Sequence, residues 1–133
     1  MKFKYKKLAP GLIRPIIPIT LHFQGKSVQY EALVDSGADM CMFPSQIGEI
    51  LGLDFKKGKK GEMSGVIGKS ADVYYHDVEL EIGGNVTCAT VGFAEANNFD
   101  HGFLGQRGMF NCYTVHFFYR KGIVELRPDI QVN

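Results

Sequence analysis

Between Ile19 and Val34 the chain alternates apolar and polar residues along two successive runs, with Gln24-Gly25-Lys26 at the fold-back. Ile19, Leu21 and Phe23 alternate with Thr20 and His22, and Val28, Tyr30, Ala32 and Val34 alternate with Gln29 and Glu31 on the return. A period of two places successive side chains on opposite faces of a strand, so this stretch predicts a half-buried hairpin rather than a helix. Its end constrains the fold further. Ala32-Leu33-Val34 runs straight into Asp35-Ser36-Gly37-Ala38-Asp39, with no polar residue before the acid. A carboxylate delivered this way is drawn toward a partly buried position, where it needs hydrogen bonds or a partner that shares its charge. Asp-Ser-Gly is also an ordinary turn tripeptide, because Asp and Ser bond their own backbone and Gly tolerates positive φ.

The remaining segments repeat the β pattern. Residues 1–15 are basic and read as irregular, with a turn at Pro10-Gly11. Met40 to Phe43 is a short apolar run stopped by Pro44, and Ser45 is placed to cap a short helix over Gln46 to Leu51 that ends at Gly52. Lys56, Lys57, Lys59 and Lys60 surround Gly58 in a solvated loop. Met63 to Lys69 is a glycine-punctuated hairpin tip. Asp72 to Ile82 then alternates, with Val78, Leu80 and Ile82 inward, and Gly83-Gly84 turns the chain into a strand over Val86 to Phe93. A polar loop from Glu95 to His101 leads to Phe103-Leu104-Gly105, and Gln106 to Asn111 is compatible with one helical turn. The chain closes with a hairpin, Tyr113–Tyr119 and Ile123–Leu126, turning at Arg120-Lys121-Gly122. Many short strands, glycine turns and little helix predict a mainly β fold, a small closed or sandwiched barrel with one or two short helices.

Length and composition narrow the function classes. At 133 residues the chain is expected to be a single domain, with too little length for two independent lobes. A net charge of +1 offers no electrostatic reason to expect nucleic acid or an anionic membrane as partner. Pro10, Arg14, Pro15 and Pro18 interrupt the apolar stretch after the first lysines, so no secretion signal is expected, and no run approaches membrane-spanning length. Cys41, Cys88 and Cys112 are odd in number and lack CxxC spacing, which indicates neither a disulfide framework nor a zinc site. The expectation is a soluble, reducing, cytoplasmic setting, without metal or cofactor. His22, His76, His101 and His116 are scattered and read as strand or loop residues.

An apolar strand ending in Asp-Ser-Gly-Ala, a glycine-rich hairpin, and then Leu104-Gly105 together resemble the retropepsin-like aspartic proteases, the single-lobed relatives of pepsin. Glu31 to Asp39 is similar to the retroviral active-site segment, and the hairpin from Val115 to Pro128 is similar to that of cellular and bacterial relatives. The resemblance covers roughly residues 14–128. It implies a closed acid-protease barrel and an aspartic endopeptidase.

Peptide hydrolysis without a covalent intermediate needs one carboxylate to deprotonate water and one carboxylic acid to protonate the carbonyl oxygen. Two carboxylates about 3 Å apart repel by about 5 kcal/mol at an effective dielectric of about 20, so such a pair shares one proton across mildly acidic pH. The sequence has one Asp-Ser-Gly, and Leu104-Gly105, where a second catalytic strand would sit in a two-lobed enzyme, carries no acid. A twofold homodimer that brings together Asp35 of each subunit is the simplest closure.

The resemblance assigns roles to residues. Asp35 is the general acid/base, the Gly37 N–H donates to its carboxylate, and Ser36 bonds across to the partner loop. Residues 63–69 are the flap, with Gly65, Val66, Ile67 and Gly68 facing an extended polypeptide that also meets Ala38 and Asp39; Gly65 and Gly68 equally fit an ordinary hairpin turn. Leu104, Gly105 and Arg107 support the site. Two departures stand out. Cys41, between Met40 and Met42, replaces a hydroxyl residue and reads as core packing. Gln106 stands where relatives commonly carry Arg, which leaves Arg14, Arg107 or neither to pair with Asp39. Two other functions are conceivable: a catalytically silent dimeric interaction module of the same fold, and a β-barrel nucleic-acid binder. The intact Asp35-Ser36-Gly37-Ala38 favours the enzyme over the first, and the near-neutral charge disfavours the second.

Overall fold

The structure is a computed structural model that describes residues 1–64, 70–95 and 100–129. The central sheet contains β4 (Ile16–Phe23), β5 (Lys26–Val34), β6 (Met42–Pro44), β7 (Lys59–Ser64), β8 (Ser70–Ile82), β9 (Asn85–Ala94) and β10 (Gly102–Leu104). Around it lie β1 (Lys2–Lys4), β2 (Lys6–Ala9), β3 (Leu12–Arg14), α1 (Ser45–Ile50), β11 (Tyr113–Phe118) and β12 (Ile123–Pro128), with 3-10 turns at Phe55–Lys57 and Tyr119–Lys121.

The spatial order β4-β5-β10-β6-β9-β8 closes on itself because β8 pairs back to β4, giving a six-stranded barrel with β7 appended outside β8. The mainly β, closed small barrel expected from the sequence is what forms. Its hairpins follow the turn chemistry. Gln24 and Gly25 both have left-handed φ (46° and 80°), as do Gly83 and Gly84 (57° and 83°), and two such residues give the turn whose twist matches antiparallel strands. Lys26 is already paired with Phe23, so the first turn is one residue shorter than expected. The closure is apolar: Leu21 lies opposite Leu80 in the β4–β8 ladder, and both are fully buried. Each such side chain contributes about 1.5–3 kcal/mol relative to exposure. On the flank, His22 Nε2 and Glu81 Oε1 lie 2.8 Å apart across the same seam.

The crossing of β10 positions the site. β5 and β6 are consecutive in the chain but not neighbours; β10 lies between them, parallel to β5 and antiparallel to β6. The segment linking β5 to β6, which contains Asp35 to Cys41, therefore passes the end of β10.

Four local expectations need correction. The basic N-terminus is not irregular: β1 pairs with β12, and β2 with β3 around the Pro10-Gly11 turn, with Met1, Phe3 and Tyr5 packed against the core. The partner of β1 lies at the other end of the chain, so no local pattern announces it. Ser45 is the first helical residue rather than the cap; Pro44, extended at φ −66° and ψ 149°, takes that place. Lys59 and Lys60 belong to β7 instead of a loop. Residues 106–111 form turns, not a helical turn. Gly108 has φ +100°, and the Phe110 and Asn111 N–H groups reach back five residues, to Gly105 O and Gln106 O.

Candidate active site

β5 keeps its ladder to Val34, whose N–H donates to Pro15 O at 2.9 Å; the next N–H, of Asp35, donates to Leu104 O at 3.0 Å. Asp35 is thus fixed through its backbone to the end of β10, and its residue is half-buried, the position expected of an acid leaving an apolar strand. The chain then turns, with the Ala38 N–H donating to Asp35 O at 3.2 Å, and leaves Ser36 and Gly37 exposed. The turn reading holds here, and the turn presents the carboxylate.

Within the turn the Gly37 N–H donates to Asp35 Oδ1 at 2.9 Å. The φ of Gly37 is not in the left-handed region, so backbone freedom is not what this glycine supplies. A Cβ there would sit 3.2 Å from Asp35 Oδ1, so any side chain would crowd the carboxylate. Gly105 is tighter: a Cβ would come within 2.5 Å of Met40 O and 2.6 Å of Ala38 O. The absent side chain lets residues 38–40 and 105–107 lie backbone to backbone. Gln106 N–H donates to Ala38 O at 2.8 Å, Arg107 N–H to Asp39 O at 3.0 Å, and Met40 bridges Arg107 in parallel.

Side chains add two ties. Gln106 Nε2 donates to Ser36 O at 2.6 Å, so Gln106 holds the turn from both its backbone and its carboxamide. Beneath, the fully buried Cys41 donates its thiol to Arg107 O at 3.2 Å, and burial pushes that thiol up to about 11. This is core packing, as its flanking methionines suggested. Asp39 is exposed and forms no ion pair among the described residues; Arg107 meets it through the backbone, and Arg14 does not pair with it.

A family model described as aspartyl protease matches residues 19–107, from the first strand of the predicted hairpin to the arginine beside Asp39. The chain belongs to the aspartyl protease family. Among solved structures, a retropepsin-like aspartic protease from Rickettsia conorii superposes with a TM-score of 0.63 at 13% identity, covering 95% of this chain and 89% of its own. EIAV protease, solved with the inhibitor HBY-793, gives a TM-score of 0.53 at 19% identity, over 70% of this chain and 82% of its own. At such identities the likeness is one of fold, and the fold is retropepsin-like. No curated protein matches the sequence.

Within this aspartyl protease fold, the structure gathers Asp35, Ser36, Gly37, Ala38 and Asp39 with Leu104, Gly105 and Arg107 at one end of the β5-β10-β6 trio. Leu104-Gly105 serves there as the neighbour of β5, in the same barrel. β7 and β8 pair as far as Ser64 and Ser70; Gly65, Val66, Ile67 and Gly68, expected to form a flap, lie outside the described residues. Sequence reasoning noticed Gln106 only as a departure and missed its bond to Ser36. The available signal was its place directly after the Leu-Gly strand end, where any side chain leaves the sheet beside the turn.

Proposed function

We propose that this chain is an aspartic endopeptidase acting as a twofold homodimer, in which the two Asp35 side chains share one proton and activate a water between them. The supporting observation is a half-buried carboxylate that accepts the Gly37 N–H at 2.9 Å, on a turn backed by Gly105, whose sequence neighbours Leu104 and Gln106 carry no acid. A single carboxyl cannot be base and acid at once, so the second comes from another copy. In the reaction the ionised Asp35 takes the water proton while its protonated counterpart donates to the scissile carbonyl oxygen. The first then passes its proton to the amide nitrogen, the second recovers one from a diol hydroxyl, and collapse of the tetrahedral diol expels the amine. The polypeptide lies as an added strand along Ala38 and Asp39, under residues 65–68 as flap.

The test is incubation of the purified protein with an unstructured peptide library at mildly acidic pH, beside Asp35→Asn. The expected result is cleavage by the parent alone, blocked by a statine-type inhibitor that imitates the tetrahedral intermediate. Equal cleavage by Asp35→Asn refutes the role of Asp35, and full activity from a monomer refutes the dimer. A folded dimer that cleaves nothing at any pH leaves the silent interaction module as the better reading.

A further inference from the structure

Lys56, Lys57, Lys59 and Lys60 take no part in the barrel core or in the Asp35 turn, yet they do not stand on a free loop. The Phe55 ring packs on Tyr74 at 4.6 Å between centroids, and His76 Nε2 donates to Phe55 O at 2.9 Å. These contacts fix the 3-10 turn that carries Lys56 and Lys57 against β8. Gly58 lies so close to that strand that a Cβ would come within 2.5 Å of Tyr75 O. Lys59 and Lys60 then open β7, which pairs with β8 on one side and with no strand on the other among the described residues. All four lysines are exposed. Lys57 reaches Asp54 at 3.6 Å and Lys60 reaches Asp72 at 4.0 Å, while Lys56 and Lys59 form no ion pair among the described residues.

Register ties this edge to the face that carries Asp35. Asp35 follows Leu33 by two residues, so alternation places both on one side of the sheet. Leu33 pairs with Phe103, Phe103 with Met42, Met42 with Gly92, Gly92 with Tyr75, and Tyr75 with Lys59. Paired residues share a face, so Lys59 stands at the far end of a row that begins beside Asp35. Met42, Tyr75 and Phe103 belong to one apolar cluster along that row. Five strand spacings of about 4.8 Å put Lys59 about 24 Å from Leu33 along the sheet, the span of about seven extended residues.

We propose that the outer edge of β7 takes an acidic stretch of the polypeptide substrate as an added strand, with Lys56 and Lys59 on its carboxylates. An unpaired edge offers main-chain N–H and C=O groups to an extended peptide, and lysines beside it repel basic strands and admit acidic ones. The inference rests on the endopeptidase reading and deepens it: the substrate class is a polypeptide with acids about five to eight residues from the scissile bond. A nucleic acid would use the lysines but not the edge. A second copy pairing β7 with β7 would bring lysines to lysines.

The test uses Asp35→Asn for binding and the parent for cleavage, each as the full chain. Two labelled peptides share an apolar-rich core of eight residues; one is extended at both ends by four glutamates, the other by four glutamines. Fluorescence anisotropy should give a Kd about 10-fold lower for the glutamate peptide at about 0.1 M salt, an advantage that shrinks at about 0.5 M. Lys56→Ala/Lys59→Ala should remove the advantage and leave binding of the glutamine peptide unchanged, while Lys56→Arg/Lys59→Arg keeps it. Unaltered urea midpoints would show that these variants remain folded. Proline at alternate positions of the glutamate extensions should abolish the gain, because an added strand needs main-chain donors. In the parent the acidic extensions should lower KM and leave kcat unchanged. Equal affinity for the two peptides overturns the proposal, as does an advantage that survives the alanine variant or the prolines. So does single-stranded RNA that displaces the glutamate peptide at lower concentration than the unlabelled peptide itself. Cleavage of both peptides at equal KM would break this inference alone. Lysine-dependent binding without cleavage of either would uphold the edge as a site for acidic peptide and break the endopeptidase reading.

Discussion

Two trios of strands, β5-β10-β6 and β1-β12-β11, share a construction: each sets a strand from late in the chain beside one from its first third. They differ in how that strand is buried. Gly102, Leu104 and Gly105 are all buried, and the surroundings fill both glycine positions: a Cβ on Gly102 would come within 2.6 Å of the Phe43 ring. In β12, Val124 and Leu126 are buried, while Ile123 and Glu125 on the opposite face are half-exposed. A segment enclosed on both sides can move very little, which suits a turn that must hold a carboxylate in place. A sheet covered on one side leaves a face free for contact and tolerant of change.

The largest expected effect tests whether the trios differ in function while matching in stability. Leu104 and Leu126 are both fully buried, so Leu104→Ala and Leu126→Ala should each cost about 2–5 kcal/mol in urea unfolding. Peptide cleavage under folding conditions should fall only for Leu104→Ala, because the lost packing lets the strand end shift and with it the main-chain carbonyl that receives the Asp35 N–H. Equal loss of activity in both would erase the distinction.

The glycines sharpen it. Gly105→Ala should destabilise by about 1–3 kcal/mol and lower kcat by about 100-fold, since the added methyl drives the Ala38 and Met40 carbonyls apart. Gly122→Ala meets open space up to Ile13 Cδ1 at 3.9 Å but is held at φ +62°. That substitution should cost about 1 kcal/mol of backbone strain and leave kcat unchanged. Urea midpoints and steady-state kinetics read both.

Much of this architecture was legible locally. The hairpins β4–β5, β8–β9 and β11–β12 announced themselves through alternation and glycine turns, and the apolar run into Asp35 foretold a half-buried acid. Lys2-Phe3-Lys4 also alternates, yet three residues of a basic tail say nothing until β12 arrives to pair with them. The helical turn expected at 106–111 failed because the left-handed Gly108 cannot continue a helix. The salt bridge sought for Asp39 was a question about distance, and spacing in sequence cannot answer it.

Cysteines give the next contrast. Cys41 lies under the Asp35 turn with its thiol pushed up to about 11 by burial, whereas Cys88 is exposed. A thiol reagent should modify Cys88 in the native protein and Cys41 only on unfolding. Above pH 9 the unfolded chain loses the Cys41 proton while the native state keeps it. Stability should therefore be complete below that pH and decline up to about pH 11, by no more than about 3 kcal/mol. Burial raises Cys112, Tyr5, Tyr30 and Tyr113 in the same direction, so the parent loses stability from several groups. Cys41→Ala should flatten that decline, measured as urea midpoints between pH 8 and pH 11; an unchanged slope would assign it to the other groups.

Gln106 is the smallest test in stability and the most telling for the turn. Its carboxamide bond to Ser36 O at 2.6 Å is exposed, so Gln106→Ala should cost no more than about 1 kcal/mol. If the turn depends on this clamp for its geometry, kcat should nevertheless fall by about 10-fold with KM little changed. Gln106→Glu replaces the donor with an anion beside the Ser36 carbonyl. It should lower kcat at least as far as Gln106→Ala does. Gln106→Lys restores a donor, and partial recovery of kcat there would assign the effect to the hydrogen bond. Parent-like kinetics in Gln106→Ala would show that Gly105 and the backbone bonds from Gln106 and Arg107 fix the turn unaided, placing the whole difference between the two trios in their main chains.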